Sequence, residues 1–303
     1  MTVPVPILLY HSVSDSTTPQ FRRYSVRPDR FIAHLDYLRD HQYTPLTISQ
    51  LARAIADRAA PLPDRPVVIT FDDGLADFYT GALPTLVSHH FAATLYITTG
   101  FVGHTSRWLA SLGEGMRPML TWGQIAEIQA SGIECGAHSL SHPQLDLIGQ
   151  AAARDEITRP KHHLEQRLGR PVETFAYPNG YYTPAVRRLV REAGYHSACG
   201  VKHAMSARTD DCFALARLMV PYADTPDLVA FRRLLAGEGL PVAPTRRRLG
   251  TRGWRLARRM SALLKGPPYS VTRTYVVGQT ADLDAAGGEP ASAPAASTVE
   301  DRP

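Results

Sequence analysis

The chain is poor in cysteine and has no long uninterrupted apolar run. Its three cysteines, Cys135, Cys199 and Cys212, show no Cys-x-x-Cys spacing, which argues against a disulfide scaffold; we expect them to pack as small apolar residues. No stretch of about 18 apolar residues could span a bilayer. The N-terminus also lacks a basic segment followed by an apolar core and a cleavage site. These absences predict a cytoplasmic protein.

Charge is distributed unevenly. The 303 residues are 44% apolar and 20% charged, which is ordinary for a globular protein with one large core. The net charge is +5, yet residues 246–265 hold eight Lys or Arg and no acid, so the remainder of the chain sums to −3. The positive charge is therefore local, and we expect no nucleic acid partner.

Two adjacent acids, Asp72 and Asp73, follow a run of mostly β-branched residues that begins at Pro66. The run is bounded by Pro and Gly, which predicts a buried parallel strand that ends at the acids. Two carboxylates at one strand end repel each other unless a cation or a proton lies between them. The pair indicates a metal site with one ligand and one base, or alternatively a turn followed by a helix N-cap.

Two histidines four positions apart, His138 and His142, follow the apolar stretch that begins at Ile133. On a helical turn, or a tight loop resembling one, such side chains point the same way and can share an ion. Two imidazoles and one carboxylate leave a position open for water, as a catalytic zinc site requires. A solvated loop or a packed pair is the alternative, but a neighbouring Asp-Asp strand end favours the ligand interpretation.

The strings Thr-Phe-Asp-Asp-Gly at 70–74 and His-Ser-Leu-Ser-His at 138–142 resemble two motifs of a known family. They are the first two motifs of the polysaccharide deacetylases with a NodB homology domain, carbohydrate esterase family 4. The resemblance covers roughly residues 5 to 222. It implies that Asp72 is the general base and that Asp73, His138 and His142 bind a divalent metal. Zn²⁺ suits two His and one Asp best, with Co²⁺, Ni²⁺ or Fe²⁺ as alternatives.

The third motif of this family, Arg-x-Pro-aromatic-Gly, is incomplete here. Ala176 stands where the family has the Arg that holds the base, and Asn179 stands where it has an aromatic residue. A Pro-Asn-Gly turn still leaves backbone N–H groups free for an oxyanion, so Asn179 is kept as a catalytic position. Arg217 is the candidate to hold Asp72 from a later strand; alternatively it only caps a barrel strand.

The late Leu-x-His motif, source of the general acid in the family, is also missing, because no His follows His203. The N-terminal run from Val5 instead places His11 at the tip of a predicted strand. This resembles the subgroup that deacetylates poly-N-acetylglucosamine, in which the motifs are circularly permuted. The resemblance implies that His11 is the general acid; the alternative is a His that caps a neighbouring carbonyl.

Strand-like and helix-like runs alternate along the chain, which predicts a parallel sheet with helices outside. Every motif residue falls at a strand end, where barrel active sites assemble. The predicted fold class is α/β: a distorted, incompletely closed (β/α)7 barrel of the NodB type, with parallel strands and outer helices. Strands are predicted near 4–10, 66–71, 93–98, 133–137, 173–177, 197–201 and 215–220, and helices near 28–41, 47–58, 75–89, 121–131, 149–168 and 183–193.

The barrel domain is predicted to span residues 1–240, followed by a basic amphipathic extension at 241–278 and a disordered tail at 279–303. Within the extension, a helix at 246–265 would place Leu256 on an apolar face and Arg258 on the opposite one. Such a helix suits the surface of an anionic membrane or an acidic partner, which would make the protein membrane-peripheral. The alternative is a solvated helix packed on the barrel.

The function that this resemblance implies is metal-dependent removal of N-acetyl groups from a glycan or glycolipid that contains amino sugars. Three other functions remain open at this stage. An O-acetyl esterase needs the same attack on a carbonyl, and a metal-independent amidase of this fold would act on small ureides. A catalytically silent carbohydrate-binding protein is the third, and the missing motif-three Arg is its main support.

Overall fold

A computed structural model describes residues 4–57, 59–220, 228–243 and 250–265. The strands are β1 Pro4–Val5, β2 Ile7–Tyr10, β3 Ser12–Val13, β4 Ser25–Val26, β5 Thr44–Leu46, β6 Pro66–Phe71, β7 Thr94–Ile97, β8 Glu134–Ala137, β9 Thr174–Ala176, β10 Ser197–Cys199, β11 Ser206–Ala207 and β12 Leu218–Met219. The helices are α1 Pro28–Asp40, α2 Ile48–Ala56, α3 Leu83–Ser88, α4 Trp122–Ala130, α5 Gln150–Leu168, α6 Pro184–Glu192, α7 Val229–Ala236 and α8 Gly250–Lys265.

One eight-stranded sheet organises the fold. Its strand order is β10-β9-β8-β7-β6-β2-β12, and β5 also pairs with β6. All of these pairs are parallel. Every residue of β6 is buried, which explains why its sequence is an unbroken apolar run instead of an alternating one. The carboxyl ends of the strands consequently meet at one edge.

The sheet curls until its two ends meet. Leu215 forms a parallel bridge with Cys199 of β10, and the Val220 N–H donates to the Leu9 carbonyl at 3.1 Å. The segment that joins the ends is thus held by a single bridge on one side and by a two-residue strand, β12, on the other. This geometry confirms the predicted parallel, incompletely closed barrel with outer helices.

The predicted helix starts at Thr121 and Thr183 are confirmed. Thr121 forms a capping box with Gln124, and Thr183 accepts from the Val186 N–H ahead of Pro184. The outer helices bury apolar faces against the sheet; α1, for example, packs Phe31 and its neighbours into the core. Among the residues that the structure describes, no helix is long and apolar enough to cross a membrane.

Two segments differ from the sequence prediction. The helix expected at 75–89 is a wide turn, Phe78–Ala82, followed by the short helix α3. Pro84 explains the break, because it donates no N–H and its ring clashes with the carbonyl four residues earlier. Strand β5 was not predicted, since Pro45 lies in its middle and proline weakens a strand pattern.

Other predictions fall partly on residues outside the described ranges. Helix α7 lies within the barrel domain predicted for residues 1–240, and residues 221–227 ahead of it are not among the described residues. The same holds for the tail at 279–303.

Candidate active site

Parallel pairing brings the motif residues to one edge of the barrel. Asp72 and Asp73 follow directly on β6, and His138 follows β8, with β7 between the two strands. The chain turns sharply at Asp73, whose φ is +78°. Asp, Asn and His are the non-glycine residues that tolerate this left-handed conformation best. Both acids and His138 are buried.

Three side chains converge on one point. Asp73, His138 and His142 each offer a ligand atom, and these atoms lie within 4.8 Å of one another. Asp73 Oδ1 is 3.3 Å from His142 Nε2 and 3.6 Å from His138 Nε2. The structure thus brings together the three residues that the family resemblance implied as metal ligands.

The tautomer of His138 is set by the backbone. Its Nδ1–H donates to the Ala176 carbonyl at 2.8 Å, which leaves the lone pair of Nε2 directed at the cluster. Burial lowers the pKa of His138 to about 4, against the opposing effect of Asp72. A neutral imidazole with a free Nε2 is the form that binds a metal ion.

His142 is placed by a tight loop and not by a helical turn. Ser139 and His142 have φ values of +65° and +61°, and the His142 N–H donates to Ser139 Oγ at 2.9 Å. The ring of Trp108 stacks on the His142 imidazole with centroids 5.3 Å apart. Backbone turn and ring stacking together orient the second imidazole.

Glu156 in α5 holds this loop from behind. Its Oε2 accepts from the N–H groups of Leu140 and Ser141 at 3.0 and 2.8 Å, and its Oε1 accepts from Ser141 Oγ at 2.6 Å. Burial raises the pKa of Glu156, against these hydrogen bonds. Sequence reasoning missed this residue, because it lies in an ordinary helix with no motif around it.

The residues present fit a divalent cation. Asp73 Oδ1 is buried and forms no hydrogen bond with any residue in the described part of the chain. An unpaired buried carboxylate oxygen is costly unless a cation meets it. Two imidazole nitrogens and one carboxylate oxygen form the donor set of hydrolytic zinc sites and suit other first-row metals as well.

Arg217 holds Asp72 with both arms of its guanidinium. Nη1 donates to Oδ1 at 2.7 Å and Nη2 donates to Oδ2 at 2.6 Å. Burial acts to raise the pKa of Asp72, but the Arg217 charge overcomes this and the pKa is lowered. Asp72 is therefore ionised, and each of its oxygens keeps a further lone pair for another donor.

The guanidinium itself is fully buried and well satisfied. Its Nε donates to the Gly200 carbonyl at 3.1 Å and its Nη1 reaches Thr70 Oγ1 at 3.3 Å. The carbon of the guanidinium lies 5.5 Å from the ring centroid of Tyr96, as in a cation–π contact. The alternative role considered for Arg217, capping a strand without touching the site, does not match these contacts.

His11 lies just after β2, with its ring edge to face with Tyr24 at 5.2 Å. Burial lowers the pKa of His11, while Asp73 and Asp72 act to raise it. The imidazole is therefore within electrostatic reach of both carboxylates.

Asn179 is exposed in the turn after β9, with φ of +57°. The Gly180 N–H donates to the Tyr177 carbonyl at 2.8 Å, and the Tyr181 N–H donates to the Pro178 carbonyl at 3.3 Å. These two amides are engaged within the turn. Among the backbone N–H groups of this turn, the candidate oxyanion donor is therefore the backbone N–H of Asn179.

Comparison with known proteins agrees with this geometry. A family model described as polysaccharide deacetylase matches residues 59–198. The chain is 26% identical over 216 residues to YxkH of Bacillus subtilis, whose curated name provisionally gives it as a polysaccharide deacetylase; the match covers 71% of each. Over these residues the chain is similar to the polysaccharide deacetylases. The family is metal-dependent and comprises carbohydrate deacetylases, and the Asp-His-His cluster conforms to it.

Three further proteins are similar to this chain. The structure of IcaB from Ammonifex degensii matches with a TM-score of 0.65 and 26% identity, over 77% of this chain and 96% of that one. The poly-beta-1,6-N-acetyl-D-glucosamine N-deacetylase of Escherichia coli is 30% identical over 134 residues, which are 43% of this chain and 20% of that protein. A Streptococcus pyogenes deacetylase, PplD, shares the fold with a TM-score of 0.65 at 24% identity.

We expect one divalent ion to bind at the cluster, and His142→Ala to weaken its binding by at least about 100-fold, because a direct ligand matters more than its supporting contacts. Titration of the metal-free protein with Co²⁺ or Zn²⁺, followed by visible absorption or calorimetry, measures this. His162→Ala, which removes an exposed His of α5, is the matched control and should bind normally. Equal affinity in both variants would contradict the assignment.

We expect Arg217→Lys to lower kcat by about 100-fold with little change in metal content, because a single ammonium cannot hold both oxygens of Asp72 and the base shifts. Steady-state kinetics and metal analysis check this. Arg53→Lys alters an exposed Arg that pairs with Glu173, and should leave kcat unchanged. Unaltered kinetics of Arg217→Lys would show that the bidentate contact is not needed.

Proposed function

We propose that this protein is an N-deacetylase that hydrolyses acetamido groups on an amino-sugar glycan or glycolipid. The observation that carries the proposal is the pairing of Asp72 with Arg217 directly beside the Asp73, His138 and His142 cluster. The curated name of the Escherichia coli relative supports an N-acetylglucosamine polymer as the substrate class.

A divalent cation bound by Asp73, His138 and His142 would supply Lewis acidity for water and for the acetyl carbonyl; we propose Zn²⁺. Asp72 is the base that accepts a proton from the attacking water. Arg217 keeps this carboxylate ionised and fixes its direction, and the remaining lone pairs of its oxygens are available to the water. Attack by the water oxygen on the acetyl carbon places negative charge on the former carbonyl oxygen.

The amide of Asn179 is proposed to donate to this oxyanion. His11 is proposed to give a proton to the sugar nitrogen as the C–N bond breaks, because an amide anion is too poor a leaving group. Burial lowers the pKa of His11, whereas the charges of Asp73 and Asp72 act to raise it and so favour the protonated form that this role requires. The products are acetate and a free amine, so one water is consumed for each acetyl group removed.

The position of Arg217 also bears on the alternative of a catalytically silent binding protein. That alternative was supported mainly by the Ala at position 176, where the family has an Arg. Arg217, which immediately precedes β12, makes the contact to Asp72 that the family's Arg would make, and this favours Asp72 as a functional base. The convergent ligand cluster likewise favours a metal-dependent hydrolase over a metal-independent amidase.

The physical form of the substrate depends on the surface that residues 246–265 contact. We propose, as predicted from the sequence, that these residues contact an anionic membrane surface. Such a contact would favour a substrate glycan that is carried at a membrane.

Asp72→Asn should reduce acetate release by about 10²- to 10⁴-fold, because the neutral amide cannot accept the proton of the water. Metal content should stay at the wild-type level. The assay measures acetate from a panel of N- and O-acetylated sugars, which also separates amidase from esterase activity. Asp64→Asn, an exposed Asp ahead of β6, is the control. An Asp72→Asn protein that retains most of its activity would refute the role of Asp72.

His11→Ala should lower kcat on an N-acetyl substrate by about 10²-fold or more without loss of metal. The effect should be smaller on an O-acetyl substrate, since an alkoxide leaves more easily than an amide anion. Parallel kinetics on the two substrates and metal analysis test this, with His162→Ala as the matched control. Loss of metal from His11→Ala, or equal effects on both substrates, would count against an acid role.

A further inference from the structure

Helix α8 is attached to the barrel by its polar side. Arg258 donates from Nη2 to Asp146 Oδ2 at 2.6 Å, and from Nη1 to Asp146 Oδ1 at 3.2 Å and to Gln144 Oε1 at 2.6 Å. Its guanidinium lies 3.7 Å from the ring centroid of Tyr181, and Trp254 Nε1 donates to the Tyr181 hydroxyl at 3.3 Å. Arg258 is therefore the residue that anchors the helix to the barrel, as in the alternative of a helix packed on the barrel.

The apolar side of the same helix faces outward. Leu256 is 62% exposed and Met260 is 52% exposed. Each lies two residues from Arg258, which is about 160° around the helix axis. An amphipathic helix that packs on a domain normally buries its apolar stripe. Here the arrangement is reversed, so the apolar stripe is available to something outside the barrel.

Positive charge borders the exposed stripe. Arg255 and Arg259 are both exposed, and at about 100° per residue both lie between Arg258 and Leu256 around the helix axis. The sequence contains no Asp or Glu from residue 239 to residue 281. Exposed apolar side chains with Arg along one border suit the interface of an anionic lipid bilayer. A second copy of the chain fits less well, since it would bring two Arg rows together without acids to pair them.

The attachment points link this helix to the active site. Gln144 and Asp146 follow closely after His142, and Tyr181 follows Asn179 in the turn after β9. Helix α8 is therefore bound to two loops. One carries the candidate metal ligand His142, and the other carries Asn179, the proposed oxyanion donor. Any surface that α8 contacts lies beside the edge of the barrel where the cluster is formed.

We propose that Leu256, Met260, Arg255 and Arg259 of α8 form a contact surface for anionic membrane lipids, which brings the open edge of the barrel to a membrane-borne glycan. The lipid contact is independent of catalysis. The substrate part of this inference rests on the proposed function.

The test is co-sedimentation of the full chain with vesicles of phosphatidylcholine alone, or with about 30% phosphatidylglycerol to match an anionic bilayer. We expect binding to the anionic vesicles, weakened by about tenfold or more in Leu256→Ser/Met260→Ser, because two apolar side chains lose their burial. Arg255→Glu/Arg259→Glu should abolish the preference for anionic lipid. Ile32→Ser/Met116→Ser alters two exposed apolar residues elsewhere and should bind like the wild type.

Acetate release from a water-soluble substrate should be the same in all of these variants, which shows that each is folded. Absence of vesicle binding by the wild type, or equal binding by all four proteins, would overturn the lipid surface. Self-association that is lost in Leu256→Ser/Met260→Ser, without vesicle binding, would assign the stripe to a second copy and also overturn it. If no variant releases acetate, thermal melting reports folding instead, and the vesicle result stands while the proposed function fails.

Discussion

The ion pair between Arg217 and Asp72 is the interaction on which the proposed chemistry depends. Both groups are almost completely removed from solvent, and burying a charge is tolerated only when its partners satisfy it. The guanidinium meets this demand with the carboxylate, the Gly200 carbonyl, the Thr70 hydroxyl and the Tyr96 ring. An Asp in this position without the Arg would be driven toward its protonated form by burial, and a protonated acid cannot serve as a base.

The surroundings of this pair show how closely the barrel is fitted around it. The Tyr96 hydroxyl forms a hydrogen bond with the Thr174 hydroxyl at 2.7 Å. A Cβ atom at position 136, where the chain has Gly, would lie 2.7 Å from a carbon of the Tyr96 ring. A glycine in β8 thus allows the ring to lie beneath the guanidinium. The small side chain of Ala176 is buried in the same cluster as Tyr96, and its carbonyl orients His138. Ala176 therefore has a structural role at this position, although it cannot hold Asp72 as an Arg would.

A curled sheet explains how a missing residue can be replaced from elsewhere. Position 176 lies in β9, three strands from β6 in one direction, whereas Arg217 immediately precedes β12, two strands from β6 in the other. In an open flat sheet these positions would be far apart. In a barrel both approach the same edge, so the charge required at Asp72 can enter from either side.

Short sequence motifs predicted much of the fold and of the candidate site. Contacts between residues far apart in the sequence were harder to predict. The two acids after β6, the His pair and the helix start at Thr121 can be recognised in short strings, because immediate neighbours set their chemistry. Arg217 could be proposed only by asking what Asp72 needs, and the pairing itself required the fold. Glu156 and the attachment of α8 through Arg258 could not be predicted, since each depends on a tertiary contact that no local sequence pattern indicates. Pro45 hid strand β5 from prediction. The proline is tolerated there because β5 lies off the main strand order and pairs with β6.

The left-handed backbone at Asp73, Ser139 and His142 has a consequence for how this site can change. Each such residue costs about 1 to 3 kcal/mol relative to relaxed backbone. Glycine at any of these positions would remove that cost. It would also remove a candidate metal ligand (Asp73 or His142) or the Ser139 hydroxyl that holds His142. At the proposed metal site, substitutions that favour thermodynamic stability would therefore act against the proposed catalysis, and only selection for turnover would keep these three residues in place.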